Sequence, residues 1–423
     1  MTALSNARVI KLFSQNRNKF DGKGELRVIA ASSATQGNPV RMGMVGGGEG
    51  AFIGAVHRIA ARLDNHYQLV AGALSSHPDI AEQSAKKLGI TSERSYSSYI
   101  DMAEAEAARA DGIEAVSIVT PNHLHFPIAK AFLAAGIHVI CDKPMTCSLS
   151  EALQLEQLAQ QSGKLFVLTH NYSAYPMVRQ AQQMVADGLL GKLRVIQVEY
   201  AQDWLTSAAE KTGNKQAEWR SDPKRSGPAG CLGDIGTHAF NLACFISGLQ
   251  VQQVSAELNT FVEGRALDDN VHAMLRFEQG VRGMLWSSQV APGNENSLRI
   301  RIYGSDGGLE WAQEQPNQLL YSPFAQASRI LTRAGYGYQA AGEHLVRTPS
   351  GHPEGYLEAF SNIYSEAAQA ILATRAGATA EQALANSLLP GVSEGVDGLK
   401  FINAVIQSSQ HNGKWIAMES VNE

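Results

Sequence analysis

From residue 41 onward the spacing of apolar positions changes in a regular rhythm. Arg41 to Val45 predicts a short strand. It runs into Gly46-Gly47-Gly48-Glu49-Gly50-Ala51-Phe52-Ile53-Gly54, and a helical stretch follows from about Ala55 to Leu63. Next come a strand over Gln68 to Leu74 and a helix over Asp79 to Leu88. Ala115 to Val119 predicts a buried strand ending in Thr120-Pro121, followed by a helix from Pro127 to Ala135 and a strand from His138 to Cys141. A helix over Glu151 to Gln161 and a strand over Leu165 to Leu168 complete the series. Strands alternating with helices through short connections signal a parallel sheet covered on both faces. Such a sheet takes its ligand at the carboxyl ends of its strands.

After about residue 190 the period changes to two. Leu193 to Trp204 reads as one strand. Val271, Ala273, Leu275 and Phe277 alternate with His272, Met274 and Arg276. Gln279-Gly280 turns the chain into a strand from Val281 to Gln289, and Leu298, Ile300 and Ile302 alternate with Arg299, Arg301 and Tyr303. Consecutive strands of this kind predict a largely antiparallel sheet with one solvated face. Residues 313–353 read as irregular, and Tyr356 to Thr374 and Leu399 to Ser409 as helices. The expected division is an extension over 1–40, a dinucleotide-binding domain over 41–165 and a substrate-binding and oligomerisation domain over 166–423. The extension is polar and ends in the cluster Ser32 to Pro39. It reads as a flexible arm, an upstream-assigned start or an oligomer-packing arm.

Composition narrows the classes. At about 150 residues per domain, 423 residues allow two to three domains, and 44% hydrophobic with 18% charged residues is enough for a large core. A net charge of -5 argues against a nucleic-acid or anionic-membrane partner. No apolar run reaches the roughly 18 residues of a membrane span, and none follows the N-terminal basic residues at signal-peptide length. The four cysteines form no C-x-x-C pair, so no metal is expected, and reduced thiols in a cytoplasmic protein are.

The candidate chemistry sits at strand ends. Gly46 and Gly48 lie between a strand and a helix, where glycine lets the backbone approach a pyrophosphate at a helix N-terminus. A strict G-x-G-x-x-G puts its third small residue at Ala51, while Gly50 and Gly54 indicate a longer loop. Ala51, Phe52 and Ile53 then join Gly46 and Gly48 against the cofactor. Ser75 stands where a carboxylate for the ribose 2'-hydroxyl is expected. With no basic clamp in view the choice between NAD and NADP is open, with NAD favoured. Thr120, Asn122 and His125 end a parallel strand and would line the ribose and nicotinamide. Lys143, after Cys141-Asp142, sits at a strand end where it can hold a substrate hydroxyl or shift its pKa. Asp234 and His238, four residues apart, fall on one face of a helix. The imidazole suits proton abstraction from an alcohol, and the carboxylate can orient substrate and raise imidazole basicity. His170, Tyr172 and Arg220 are candidates for substrate contact.

Taken in order, the strand and glycine loop, T-P-N-x-x-H, D-K-P and G-D-I-G-T-H resemble the glucose-fructose oxidoreductase / inositol dehydrogenase / MocA family over about residues 41–416. The resemblance implies an N-terminal Rossmann domain, a C-terminal α+β domain with an open, mostly antiparallel sheet, and nicotinamide-dependent oxidation of sugars, cyclitols or their derivatives. It also implies homodimers or homotetramers joined through that sheet. Lys143 then matches the family's motif lysine, Asp234 its substrate-binding aspartate and His238 its catalytic histidine. Asp142 replaces the commoner Glu, Ser75 the commoner acid, and the glycine loop is about three residues longer than usual. The expected function is a dehydrogenase of a carbohydrate or polyol hydroxyl with His238 as base. The alternatives are a glycosidase working by transient oxidation and elimination, and a sensor that binds sugar and nucleotide without chemistry.

Overall fold

The computed structural model describes residues 38–338 and 340–421; the expected extension lies almost wholly outside the described residues. The first half forms a five-stranded parallel sheet in the order β2-β1-β3-β4-β5, from Val40–Gly46 (β1), Tyr67–Ala73 (β2), Ala115–Val119 (β3), His138–Cys141 (β4) and Phe166–Leu168 (β5). β3, β4 and β5 are buried at every position, as a sheet covered on both faces requires. Strand order reverses between β1 and β3, which opens a crevice above their carboxyl ends.

Helix α1 (Phe52–Leu63) buries Gly54, Val56, His57, Ala60 and Ala61 at helical spacing. It begins at Phe52, earlier than the expected Ala55. Helices α2 (Pro78–Lys87), α3 (Tyr99–Ala108), α4 (His125–Ala134) and α5 (Leu149–Ser162) complete the wrapping. Ser148 caps α5 by accepting the Glu151 N–H, and Gly163, with φ of 64°, ends it in the left-handed region. The pairing of β5 carries the first unit past residue 165, the boundary expected from the pattern.

The second half builds a nine-stranded sheet in the order β13-β12-β11-β10-β6-β9-β8-β7-β14. Its strands are β6 (Leu193–Ala201), β7 (Val251–Asn259), β8 (Asn270–Phe277), β9 (Arg282–Ser288), β10 (Ser297–Gly304), β11 (Gly307–Ala312), β12 (Gln318–Pro323), β13 (Arg329–Thr332) and β14 (Ile416–Ala417). All pairings are antiparallel except β6 with β9. Ile196, Val198, Ala273, Leu275, Leu285, Ile300 and Ile302 are buried on one face, while Met274 and Met284 stand exposed on the other. Two expectations are corrected. β6 stops at Ala201 instead of reaching Trp204, and 313–353 is not irregular throughout because it contains β12 and β13.

Helix α6 (Pro176–Ala186) follows β5. Helix α7 (Lys215–Arg220) is short, and α8 (Thr237–Ser247) is preceded by a π-helical turn over Leu232–Gly236. Two late helices tie the halves together. α9 (Tyr356–Arg375) places Phe360, Ile363, Tyr364, Ala367 and Ile371 in one apolar cluster with Val40, Met42, Val56, Ala60 and Ile140 of the first unit. Tyr364 Oη lies 2.9 Å from His57 Nδ1 and 2.8 Å from Ser117 Oγ, both in the parallel-sheet unit. α10 (Val392–Gln410) packs against both α5 and β7. Among the described residues, no helix is long and apolar enough to cross a membrane.

Candidate active site

A cleft of about 1250 Å³ runs from the glycine turn at the end of β1 to the second sheet. Gly46, Gly47 and Gly50 have φ of 82°, 71° and 82°, which side-chain-bearing residues rarely adopt. A Cβ on Gly48 would stand 2.7 Å from the Leu74 carbonyl oxygen. A Cβ on Gly54 would stand 2.4 Å from Gly47 Cα. Gly54 therefore permits the close helix-to-strand approach that the pattern assigned to Ala51. Ala51 instead precedes α1 and provides no side-chain cap, and Ala51, Phe52 and Ile53 line the cleft. Uncapped first-turn N–H groups beneath a left-handed glycine turn fit a pyrophosphate.

Thr120 and Asn122 line the same cleft, with the Asn122 amide donating to the Ser226 carbonyl at 2.9 Å. Ser75 lines it too, its hydroxyl accepting the His77 N–H at 3.1 Å. His125 lies behind the wall instead of on it. Its Nδ1 is 2.7 Å from the Pro144 oxygen and its Nε2 2.9 Å from the Thr120 oxygen, so the ring braces β3 against the Lys143 loop.

Lys143 follows β4 and reaches across to the second domain. Its ammonium donates to Asp234 Oδ1 at 2.9 Å and to the Asp234 carbonyl at 2.7 Å. Gln289 Nε2 donates to Asp234 Oδ2 at 2.9 Å, and Arg220 Nε stands 3.3 Å from the same oxygen. Burial alone would raise this carboxyl, but Lys143 and then Arg220 outweigh it, so Asp234 is held well below the usual carboxylate range. In place of the single α-helix expected for the pair, Asp234 lies in the π-helical turn and His238 in the first turn of α8. The Asp234 carboxylate thus gathers Lys143, Gln289 and Arg220 around it and keeps room for a further donor.

The His238 ring is buried, with edge-to-face contacts to Tyr172 at 4.8 Å and His170 at 5.4 Å. Its Nδ1 has no hydrogen-bond partner. Burial, then the charges of Lys143 and His170, push its pKa well below 6.5, with Asp234 opposing. The imidazole is therefore held in its neutral form, with Nδ1 left unpartnered. Tyr172 lines the cleft and shares a 2.6 Å hydrogen bond with Tyr200. His170 lies behind it, and burial followed by Lys143 lowers its pKa to about 3. Arg220 sits 4.2 Å above the Trp219 ring at the cleft mouth.

Several site residues escaped the pattern. Gln289 follows β9 and reaches Asp234, and Asn296 lines the cleft just before β10, each a single polar residue in no recognisable motif. Gln202 and Tyr200 close the second-sheet wall. Only alternation along β6 and β9 carried a signal for them, since Gln289 continues the strand that Leu285 faces inward from.

A glycine cradle over an uncapped helix N-terminus, facing a charged pair and a neutral imidazole across a domain junction, is the architecture of a dinucleotide-dependent oxidoreductase. Residues 40–170 match the oxidoreductase family with an NAD-binding Rossmann fold, and residues 178–310 match the GFO/IDH/MocA C-terminal domain. The chain belongs to the Gfo/Idh/MocA oxidoreductase family. It is 35% identical over 382 residues to the uncharacterized oxidoreductase YfiI of Bacillus subtilis, covering 89% of this chain and 96% of the relative. A crystal structure of an oxidoreductase from Sinorhizobium meliloti is 52% identical with a TM-score of 0.80, covering 90% of this chain and 100% of that one. An inositol dehydrogenase homolog from Azotobacter vinelandii, complexed with NADH and myo-inositol, is 36% identical with a TM-score of 0.84. That match covers 90% of this chain and 98% of the other.

Proposed function

We propose that this chain oxidises a secondary hydroxyl of a cyclitol or sugar, with His238 as the proton acceptor. One observation carries the reading. Lys143 and Asp234, from different domains, are bonded at the strand ends beside a neutral buried His238, on the cleft that begins at the glycine turn. An ammonium has three donors. Two of those on Lys143 go to Asp234, leaving one N–H for a substrate oxygen. Asp234, ionised and fixed by three partners, accepts from a substrate hydroxyl. His238 takes the proton of the hydroxyl being oxidised, a role that typically contributes about 10²–10⁴-fold. A nicotinamide dinucleotide, held by Gly46, Gly48, Ala51 to Ile53, Thr120 and Asn122, supplies the hydride acceptor when bound. Amide and hydroxyl groups of Gln202, Asn296, Gln313 and Tyr172 along the opposite wall suit a polyhydroxylated ring. The similarity to the protein complexed with NADH and myo-inositol supports the same substrate class.

The exposed outer face of the nine-stranded sheet is the proposed homodimer or homotetramer contact. The reaction is tested by initial rates with NAD and NADP across inositols, aldoses and glycosides. Stoichiometric NADH or NADPH formation is expected with at least one inositol or aldose. Release of reducing sugar from a glycoside without reduced cofactor would displace this reading.

A further inference from the structure

The turn between β1 and α1 reaches Gly54 three residues later than a strict glycine pattern would, and the added length has a destination. Gly48 N–H donates to the Leu74 carbonyl at 3.0 Å, and Glu49 N–H donates to the buried Ser84 Oγ at 3.0 Å. These bonds dock the turn on the end of β2 and on α2. A dinucleotide-binding sheet needs a carboxylate at this point to accept the hydroxyls of the adenosine ribose. The segment Ser75-Ser76-His77-Pro78 supplies none, and the Ser75 hydroxyl already accepts the His77 N–H. Glu49 does line the cleft there. Lys87 Nζ, 2.5 Å from Glu49 Oε1, steadies the carboxylate, and both side chains stay more than half exposed, so the acid remains reachable. The other lining acids lie elsewhere. Asp142 and Asp234 belong to the Lys143 end and Glu218 to α7. Among the described residues the basic lining groups are Lys143, Lys215, Arg220 and Arg225, none of them on the glycine turn, β2 or α2.

We infer that Glu49 selects the cofactor: its carboxylate accepts the 2'-hydroxyl of the adenosine ribose in place of the missing acid at the end of β2 and repels a 2'-phosphate, making the chain an NAD enzyme. The inference rests on the dinucleotide site described above. It is tested by fluorescence titration of the full-length protein with NADH and NADPH, without substrate, for wild type, Glu49→Gln and Lys87→Ala. Wild type is expected to bind NADH at least about tenfold more tightly than NADPH, the usual worth of one charge-assisted hydrogen bond. Glu49→Gln should weaken NADH about tenfold, strengthen NADPH and abolish the preference. Lys87→Ala, which frees the carboxylate, should keep or widen it. A wild type that favours NADPH, or an unchanged affinity ratio in Glu49→Gln, overturns the assignment while leaving the dinucleotide site intact. Binding of neither cofactor by wild type overturns both.

Discussion

Lys143 donates twice to Asp234, at 2.9 Å to the carboxylate and at 2.7 Å to the main-chain carbonyl. This pair stitches the end of β4 to the π-helical turn of the other domain, and its positive charge is felt by His238. After burial, Lys143 is the largest influence lowering the His238 pKa. Lys143→Met should therefore raise that pKa. The proposed base acts when unprotonated, so activity is expected to be lost as pH falls through its pKa. Wild type should hold kcat/KM well below pH 6.5, and the variant's acid limb should move to higher pH. A pH profile of kcat/KM, which reports the free enzyme, checks this. An unmoved acid limb in Lys143→Met would mean that His238 is not the group titrating.

His238→Ala removes the proposed proton acceptor without touching the glycine turn. Turnover should fall by about 10²–10⁴-fold, while NADH binding followed by fluorescence stays within about twofold of wild type. Comparable turnover in the variant would refute the role.

Asp268 sets where the Asp234 segment begins. Its carboxylate accepts the Gly230 N–H at 2.7 Å and the Leu232 N–H at 2.8 Å. Burial raises its pKa to about 6, against the pull of those two bonds. The unfolded chain releases this proton near pH 4, so the neutral form stabilises the fold below that pH. That contribution is lost as pH rises through about 6, a difference of roughly 3 kcal/mol for two pKa units. Asp268→Asn cannot titrate, so the urea midpoint of the variant should be flatter between pH 4 and 6 than that of wild type. It also sets an amide N–H₂ against one backbone donor, so kcat should fall as the segment shifts.

Gly54 tests the reading of the turn. Gly54→Ala would push a methyl to 2.4 Å from Gly47 Cα and 2.9 Å from Gly47 O. Backbone cannot yield cheaply there, so NADH affinity should drop by roughly tenfold, about 1.4 kcal/mol. Ala51→Gly, at a position with φ of -91° and ψ of 115° open to any residue, should change it less than about twofold. Equal effects in calorimetric titrations would show that Ala51 is the close-approach residue after all.

These residues also show what the sequence could and could not reveal. The parallel unit was legible because β3 to β5 are buried on both faces and read as nearly continuous apolar runs, interrupted only by Ser117 and His138. Lys143, Asp234 and His238 could be singled out because each sits in a local motif at an element end, and the structure brings all three to one cleft. β7 was hidden by a register shift between Val251 and Gln253, which breaks its period of two so that Val251, Val254 and Ala256 do not alternate evenly. β13 is a four-residue edge strand with largely exposed side chains, and β12 beside it buries only Leu319 and Pro323, which leaves little hydrophobic pattern to find. Gln289 and Glu49 gain their positions from long-range docking, which no local spacing encodes.

The outer face of the nine-stranded sheet carries the final prediction. Met274 pairs with Met284 across β8 and β9, and the two are 60% and 52% exposed. The same register places Val195, Tyr303 and Ile330, all exposed, on this face. The ion pairs of Arg301 with Glu199 and Glu310 lie between them. A broad, open sheet face with apolar residues at its centre suits the proposed contact with a second copy, and a two-fold axis would set these residues against their own counterparts. Met274→Glu with Met284→Glu places like charges across such an axis. Light scattering should show wild type as a dimer or tetramer and the double variant as a smaller species, with NADH binding preserved because the glycine turn lies in the other domain. A monomeric wild type, or an unchanged mass in the variant, would remove this face as the contact.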